Sequence, residues 1–192
     1  DEALSFVQQL VESFDDERLE LLEKRVQRQQ EFDRGVLPDF REDTKGIRDG
    51  NWRVDPIPHA LQDRRVEITG PAEPKMIINA LNSKAKMFMV DFEDSLSPTW
   101  EKVVEGQAAL YDAVRRKLRY TSPEGKEYAL NDDIATLIVR PRGWHLPEKH
   151  VLLNGKPIPG ALLDFGLFFF HNAAYQTEHE SGPFFYLPKL ES

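Results

Sequence analysis

Cysteine is absent from all 192 residues. That excludes disulfides, thiolate nucleophiles and cysteine-bound metals, and it suits a reducing compartment such as the cytoplasm. Long hydrophobic runs are missing too: none approaches the roughly 20 residues a membrane span needs. No signal-peptide pattern precedes the first helical stretch. Basic charge is in deficit, with 25 Lys and Arg against 33 Asp and Glu and a formal net charge of −8. No global field therefore attracts nucleic acid, although a local basic pocket for a phosphorylated cofactor stays open. Neither GxGxxG nor GxxxxGK[ST] occurs, and "ITGPAEPK" offers a single glycine, so no nucleotide phosphate loop is indicated. Residue 1 is Asp rather than Met, from which we expect a portion of a longer product.

Two textures make up what is present. Residues 1–63 are polar and helical, then irregular. "ALSFVQQLVESF" sets Leu4, Val7, Leu10, Val11 and Phe14 at helical spacing. Asp15 or Asp16 can cap a second helix, "ERLELLEKRVQRQQEFDRG", with Leu19, Leu22 and Val26 as its seam and Gly35 as its stop. This predicts a hairpin of two amphipathic helices, a packing appendage whose apolar stripe needs cover. From Val36 to Leu61, scattered Pro and Gly predict a surface-wrapping linker with Trp52 as an anchor.

From residue 64 to 192 strand and helix alternate four times. The strands are "RVEITG", "KMFMVD", "ATLIVRPRG" and "PFFYLPKLES". Hairpin inserts are expected near 118–130, around "SPEGKE", and near 151–158, around Asn154-Gly155. Near-continuous apolar strands suit a parallel sheet covered by helices. Each ends in a polar cluster, as in the first four β/α units of a (β/α)8 barrel, though a doubly wound sheet shares that polarity. An α/β fold ending on an apolar strand would leave an open edge, which again suggests part of a larger protein.

Chemistry concentrates at two strand ends. In "MFMVDFEDSLSPTW", Asp91, Glu93 and Asp94 crowd negative charge, which demands a cation or raises their pKa values. "VRPRGWHLPEKH" supplies Arg140 and Arg142, which strand alternation would point to one side, and His145 and His150. A fixed guanidinium there can hold a developing oxyanion, or can simply pair with Asp91 or Glu93; the two are compatible. The histidines do not match HExxH spacing, and His171 in "FFFHN" reads as a buried imidazole. Lys75, near a helix start, can meet an anionic group, and Ser95 is an N-cap or a ligand donor.

"DRRVEITGP", "MVDFEDSLSPTW", "LIVRPRGWHLPEKH", "DFGLFFFHN" and "GPFFYLPKLES", in this order and spacing, closely resemble the shorter, A-type malate synthases. The resemblance spans the whole chain. It implies an N-terminal helical clasp on a (β/α)8 barrel. It also implies a Mg2+-dependent condensation of acetyl-CoA with glyoxylate and water to malate and CoA. In the family a C-terminal aspartate removes a methyl proton, and the enolate attacks glyoxylate held on Mg2+. Carried onto this sequence, Arg140 is the catalytic arginine, Ser95 and Lys75 contact acetyl-CoA, and Asp91 and Glu93 support the site. The Mg2+ ligands and the catalytic aspartate are expected beyond residue 192, so the isolated chain is not expected to turn over. The partners implied are acetyl-CoA and glyoxylate, without nucleic acid or membrane, in a monomer or weak oligomer. The location implied is cytoplasmic, or peroxisomal or glyoxysomal in a eukaryote. Two alternatives stay open: a related acyl-CoA lyase or aldolase barrel, and a non-catalytic fragment or interaction module.

Overall fold

A computed structural model describes residues 1–191. The first element is one helix, not two: α1 runs unbroken from Glu2 to Asp33. Asp15 does not cap a new helix. No glycine or proline interrupts the backbone there, and Asp15 instead accepts a 2.7 Å bond from Arg18 Nε, three residues on. Arg18 Nη1 also donates to the Trp144 carbonyl at 2.7 Å, pinning the middle of α1 to the distant chain. The N-terminal half of α1 buries Ala3, Val7 and Val11. Leu19 and Val26, the expected seam, are exposed.

Residues 34–66 hold only two 3₁₀ turns and a one-turn helix α2 (Lys45–Arg48). Trp52 is no anchor. It is 58% exposed, and its indole N–H donates locally to the Ile47 carbonyl.

The sheet then forms in chain order. Strands β1 (Glu67–Pro71) and β2 (Met87–Asp91) flank α3 (Pro74–Leu81), and α4 (Trp100–Val114) follows β2. The hairpin β3 (Arg119–Thr121) and β4 (Glu127–Ala129) precedes β5 (Thr136–Arg140). A second hairpin, β6 (Pro147–Leu153) and β7 (Lys156–Pro159), leads into α5 (Gly160–Glu178). β1, β2 and β5 lie side by side, all parallel. The fourth expected strand is reduced to one parallel bridge, Val139 to Phe185. Two backbone bonds make it, Val139 N to the Phe184 carbonyl and Tyr186 N to the Val139 carbonyl. The described residues thus make an incomplete barrel, with successive strands neighbouring one another and no closure.

β2 is buried along its whole length, as a central parallel strand should be. β5 alternates. Its Leu137 and Val139 join Phe88 and Val90 of β2 in the core beneath α3 and α4, with Phe168 of α5. Period-two alternation then puts Asp91 and Arg140 on the opposite, barrel-interior face. A second core joins Val7 and Val11 of α1 to Leu162, Leu163 and Ile158 of α5 and β7. Gly166 makes that approach possible, since a Cβ there would stand 2.9 Å from Val7 Cγ2. His171 lies on the exposed side of α5, contrary to the sequence reading, because Phe168 and Asn172 take the buried side.

Candidate active site at the strand ends

Asp91 and Arg140 are register partners at the last positions of adjacent parallel strands. Sharing a face, their side chains meet as a fork. Arg140 Nε donates to Asp91 Oδ1 at 2.8 Å and Nη2 to Oδ2 at 2.7 Å. The chain turning out of β2 adds further donors: Glu93 N to Oδ1 and Ser95 N to Oδ2, both at 2.8 Å, and Ser95 Oγ to Oδ2 at 2.6 Å. Asp91 is fully buried. Burial pushes its carboxyl up, but the Arg140, Ser95 and backbone donors outweigh this and hold it at about 2. The same bond to Asp91 raises the Arg140 pKa further, so the guanidinium is permanently charged.

This arrangement answers the electrostatic puzzle of the acidic cluster. Neither Ser95, the expected N-cap, nor Asp94 caps α4; Thr99 does, accepting from Lys102 N. Asp94 instead lies 3.1 Å from Arg140 Nη2 and 2.9 Å from Lys189 Nζ. Both Glu93 oxygens bind Lys189. Arg140 therefore spends Nε and Nη2 on carboxylates, while its Nη1 has no protein partner among the described residues. The Arg140 side chain as a whole is 14% exposed. The Tyr186 ring lies 5.9 Å from the guanidinium carbon.

Arg142 departs from Arg140. Pro141 and Gly143 end the strand alternation, and Arg142 turns into the interior. It donates Nε and Nη2 to Asp164 of α5 at 2.9 and 2.8 Å, and Nη1 to Glu148 of β6 at 2.8 Å. Gly160 leaves room, since a Cβ there would meet the guanidinium carbon at 2.8 Å. His150 contacts the same Glu148 at 2.7 Å. This buried group fastens the second hairpin and α5 to the end of β5.

Lys75 is not brought to the cluster. It stands near the N-terminus of α3 with its ammonium 5.2 Å from the Tyr128 ring centroid of the first hairpin. Ser95 is brought to it, with its hydroxyl proton committed to Asp91. Lys189, Glu148 and Asp164 are structural members that motif reading did not single out. The only sequence signals for Lys189 and Glu148 were the polar clusters "PKLES" and "LPEKH".

The carboxylates do not suit a Mg2+ ion. Every oxygen of Asp91 and Glu93 is taken by a cation, hydroxyl or N–H donor. Among the described residues no three His, Asp or Glu groups converge on a metal position.

Comparison with known proteins places the chain in a family. Residues 1–46 match the family described as "Malate synthase, N-terminal domain", and residues 136–192 match "Malate synthase, TIM barrel domain". The malate synthase of Myxococcus xanthus (strain DK1622) is 58% identical over 191 residues, which cover 100% of this chain and 35% of that protein. Malate synthase A of Escherichia coli (strain K12) is 54% identical over 191 residues, covering 100% and 36%. The glyoxysomal malate synthase of Brassica napus is 52% identical over 194 residues, covering 99% and 35%. The chain spans about a third of the length of these relatives. No described helix is long and apolar enough to cross a membrane. This chain belongs to the malate synthase family.

Proposed function

We propose that the chain supplies the clasp and the first barrel units of an enzyme condensing acetyl-CoA with glyoxylate and water to give malate and CoA. Residues 1–63 form the clasp and linker, and 64–192 the barrel half. The observation that carries the reading is the Arg140 fork, seated on a buried, ionised Asp91 with Nη1 left free at the carboxyl edge of the sheet.

Removing a methyl proton from the thioester places negative charge on its carbonyl oxygen. That charge appears only on the way to product, so a donor already in place stabilises the transition state over the ground state. Arg140 is that donor. Asp91 keeps the guanidinium from reorienting, and Glu93 supports the surrounding charge. Ser95, its proton given to Asp91, retains an oxygen that can accept an N–H from acetyl-CoA. Lys75, with its ammonium over Tyr128, is the second residue of this reading that contacts acetyl-CoA. The proton-abstracting carboxylate and the Mg2+ ligands of the reaction lie outside these residues in this reading. Cytoplasmic or peroxisomal location and a monomeric or weakly associated state belong to the same reading.

The intact polypeptide carrying this sequence should release CoA from acetyl-CoA only when glyoxylate is present, followed by thiol titration. Cleavage of a C–C bond in an acyl-CoA, without glyoxylate-dependent release, would replace this reading with the lyase or aldolase alternative.

A further inference from the structure

Arg140 keeps a free edge only because something else neutralises its acidic neighbours. Three carboxylates, Asp91, Glu93 and Asp94, surround it, and one other cation faces them: Lys189. The Glu93 side chain is 2% exposed, and both its oxygens bind Lys189 Nζ. Asp94 is divided between Lys189 on Oδ1 and Arg140 on Oδ2. Without Lys189, the buried Glu93, with the exposed Asp94 beside it, would compete for the Arg140 guanidinium. A buried carboxylate stripped of its partner recruits the nearest cation, here at the expense of the fork on Asp91.

Lys189 is itself held in place. Its backbone adopts φ +51°, a left-handed conformation uncommon for a residue with a side chain. Its carbonyl accepts a 2.7 Å bond from Arg25 Nη2, deep in the exposed half of α1. The N-terminal helix thus touches Lys189 through its backbone carbonyl.

We propose that Lys189 is a positioning residue for the reaction: it takes up Glu93 and Asp94 so that Arg140 stays forked on Asp91 with Nη1 free, and Arg25 of α1 fixes where it stands. The proposal rests on the malate synthase reading for its kinetic test. In the intact protein, Lys189→Met should lower kcat about 10- to 100-fold, as for loss of a charge-assisted contact, with KM for acetyl-CoA and glyoxylate nearly unchanged. Adding Glu93→Gln to Lys189→Met should recover activity relative to the single variant, because the competing charge is gone. Lys189→Arg, which keeps the charge, should stay within about threefold of wild type, and it carries the test if Lys189→Met fails to fold. Wild-type kcat in Lys189→Met, no recovery in the double variant, or a collapse of kcat in a folded Lys189→Arg overturns the proposal. If the wild-type protein releases no CoA in response to glyoxylate, the functional reading falls instead. The proposal is then decided by denaturant unfolding: Glu93→Gln must recover stability lost in Lys189→Met, and absence of recovery overturns it.

Discussion

Asp91 shows how a single residue can be both a stability element and a part of the chemistry. Its folded pKa of about 2 lies below the ordinary 3.8. A depressed carboxylate contributes stability that is complete above its unfolded pKa and is lost as pH falls through the folded value. The window therefore runs from about pH 4 down to about pH 2, and the contribution is on the order of 2 kcal/mol. Asp91→Asn should unfold more easily than wild type at neutral pH, and the gap should narrow as pH falls across that window. Denaturant titrations at several pH values check this; a gap independent of pH would mean Asp91 is not held ionised by Arg140. Sequence alone flagged the crowding of Asp91, Glu93 and Asp94 but could not apportion the partners. Adjacency in "DFEDS" hides that Asp91 ends a strand facing inward, whereas Glu93 and Asp94 lie on the turn beyond. Lys189, almost a hundred residues away, was invisible as their partner because only the fold brings it there.

At the scale of elements, two arginines two residues apart hold different things. Arg142 is 3% exposed and binds Asp164 and Glu148, buried at 0% and 2%. Replacing it by Met strips two buried carboxylates of the cation they share and should cost about 3–5 kcal/mol, read as a large fall in the unfolding midpoint. A change below 1 kcal/mol would show that the hairpin and α5 are anchored otherwise. A second element contact rests on Gly166, where Gly166→Leu should force α1 off α5 at a cost of about 1–3 kcal/mol. Amide exchange should accelerate along residues 3–11 and spare the sheet; uniform protection would contradict it. The first three strands and the Asn154-Gly155 turn were legible because period and turn chemistry are local signals. The unbroken α1 was not. A cap residue such as Asp15 signals a helix start only if the backbone breaks before it, and here its carboxylate was captured by Arg18. The fourth strand also shrank to a bridge, held to Val139 by backbone bonds at Phe184 and Tyr186 alone.

At the scale of the whole molecule, chain order and sheet order coincide, so polar strand ends collect on one edge and α1 crosses to meet them through Arg18 and Arg25. The resemblance carried by five motifs reached the family from sequence, and the matched domains and relatives place the chain in it. What sequence could not supply was the free edge of Arg140, which depends on the end of β2 and on Lys189 at once. That edge is the centre of the account. The most direct measurement is the glyoxylate-dependent release of CoA from acetyl-CoA by the intact enzyme carrying Arg140→Lys, with unfolding followed in parallel. Lysine keeps the charge but cannot both fork onto Asp91 and present a second donor. The account requires kcat to fall about 10²- to 10³-fold while the unfolding midpoint stays near wild type. Near-normal kcat in the folded variant would contradict it.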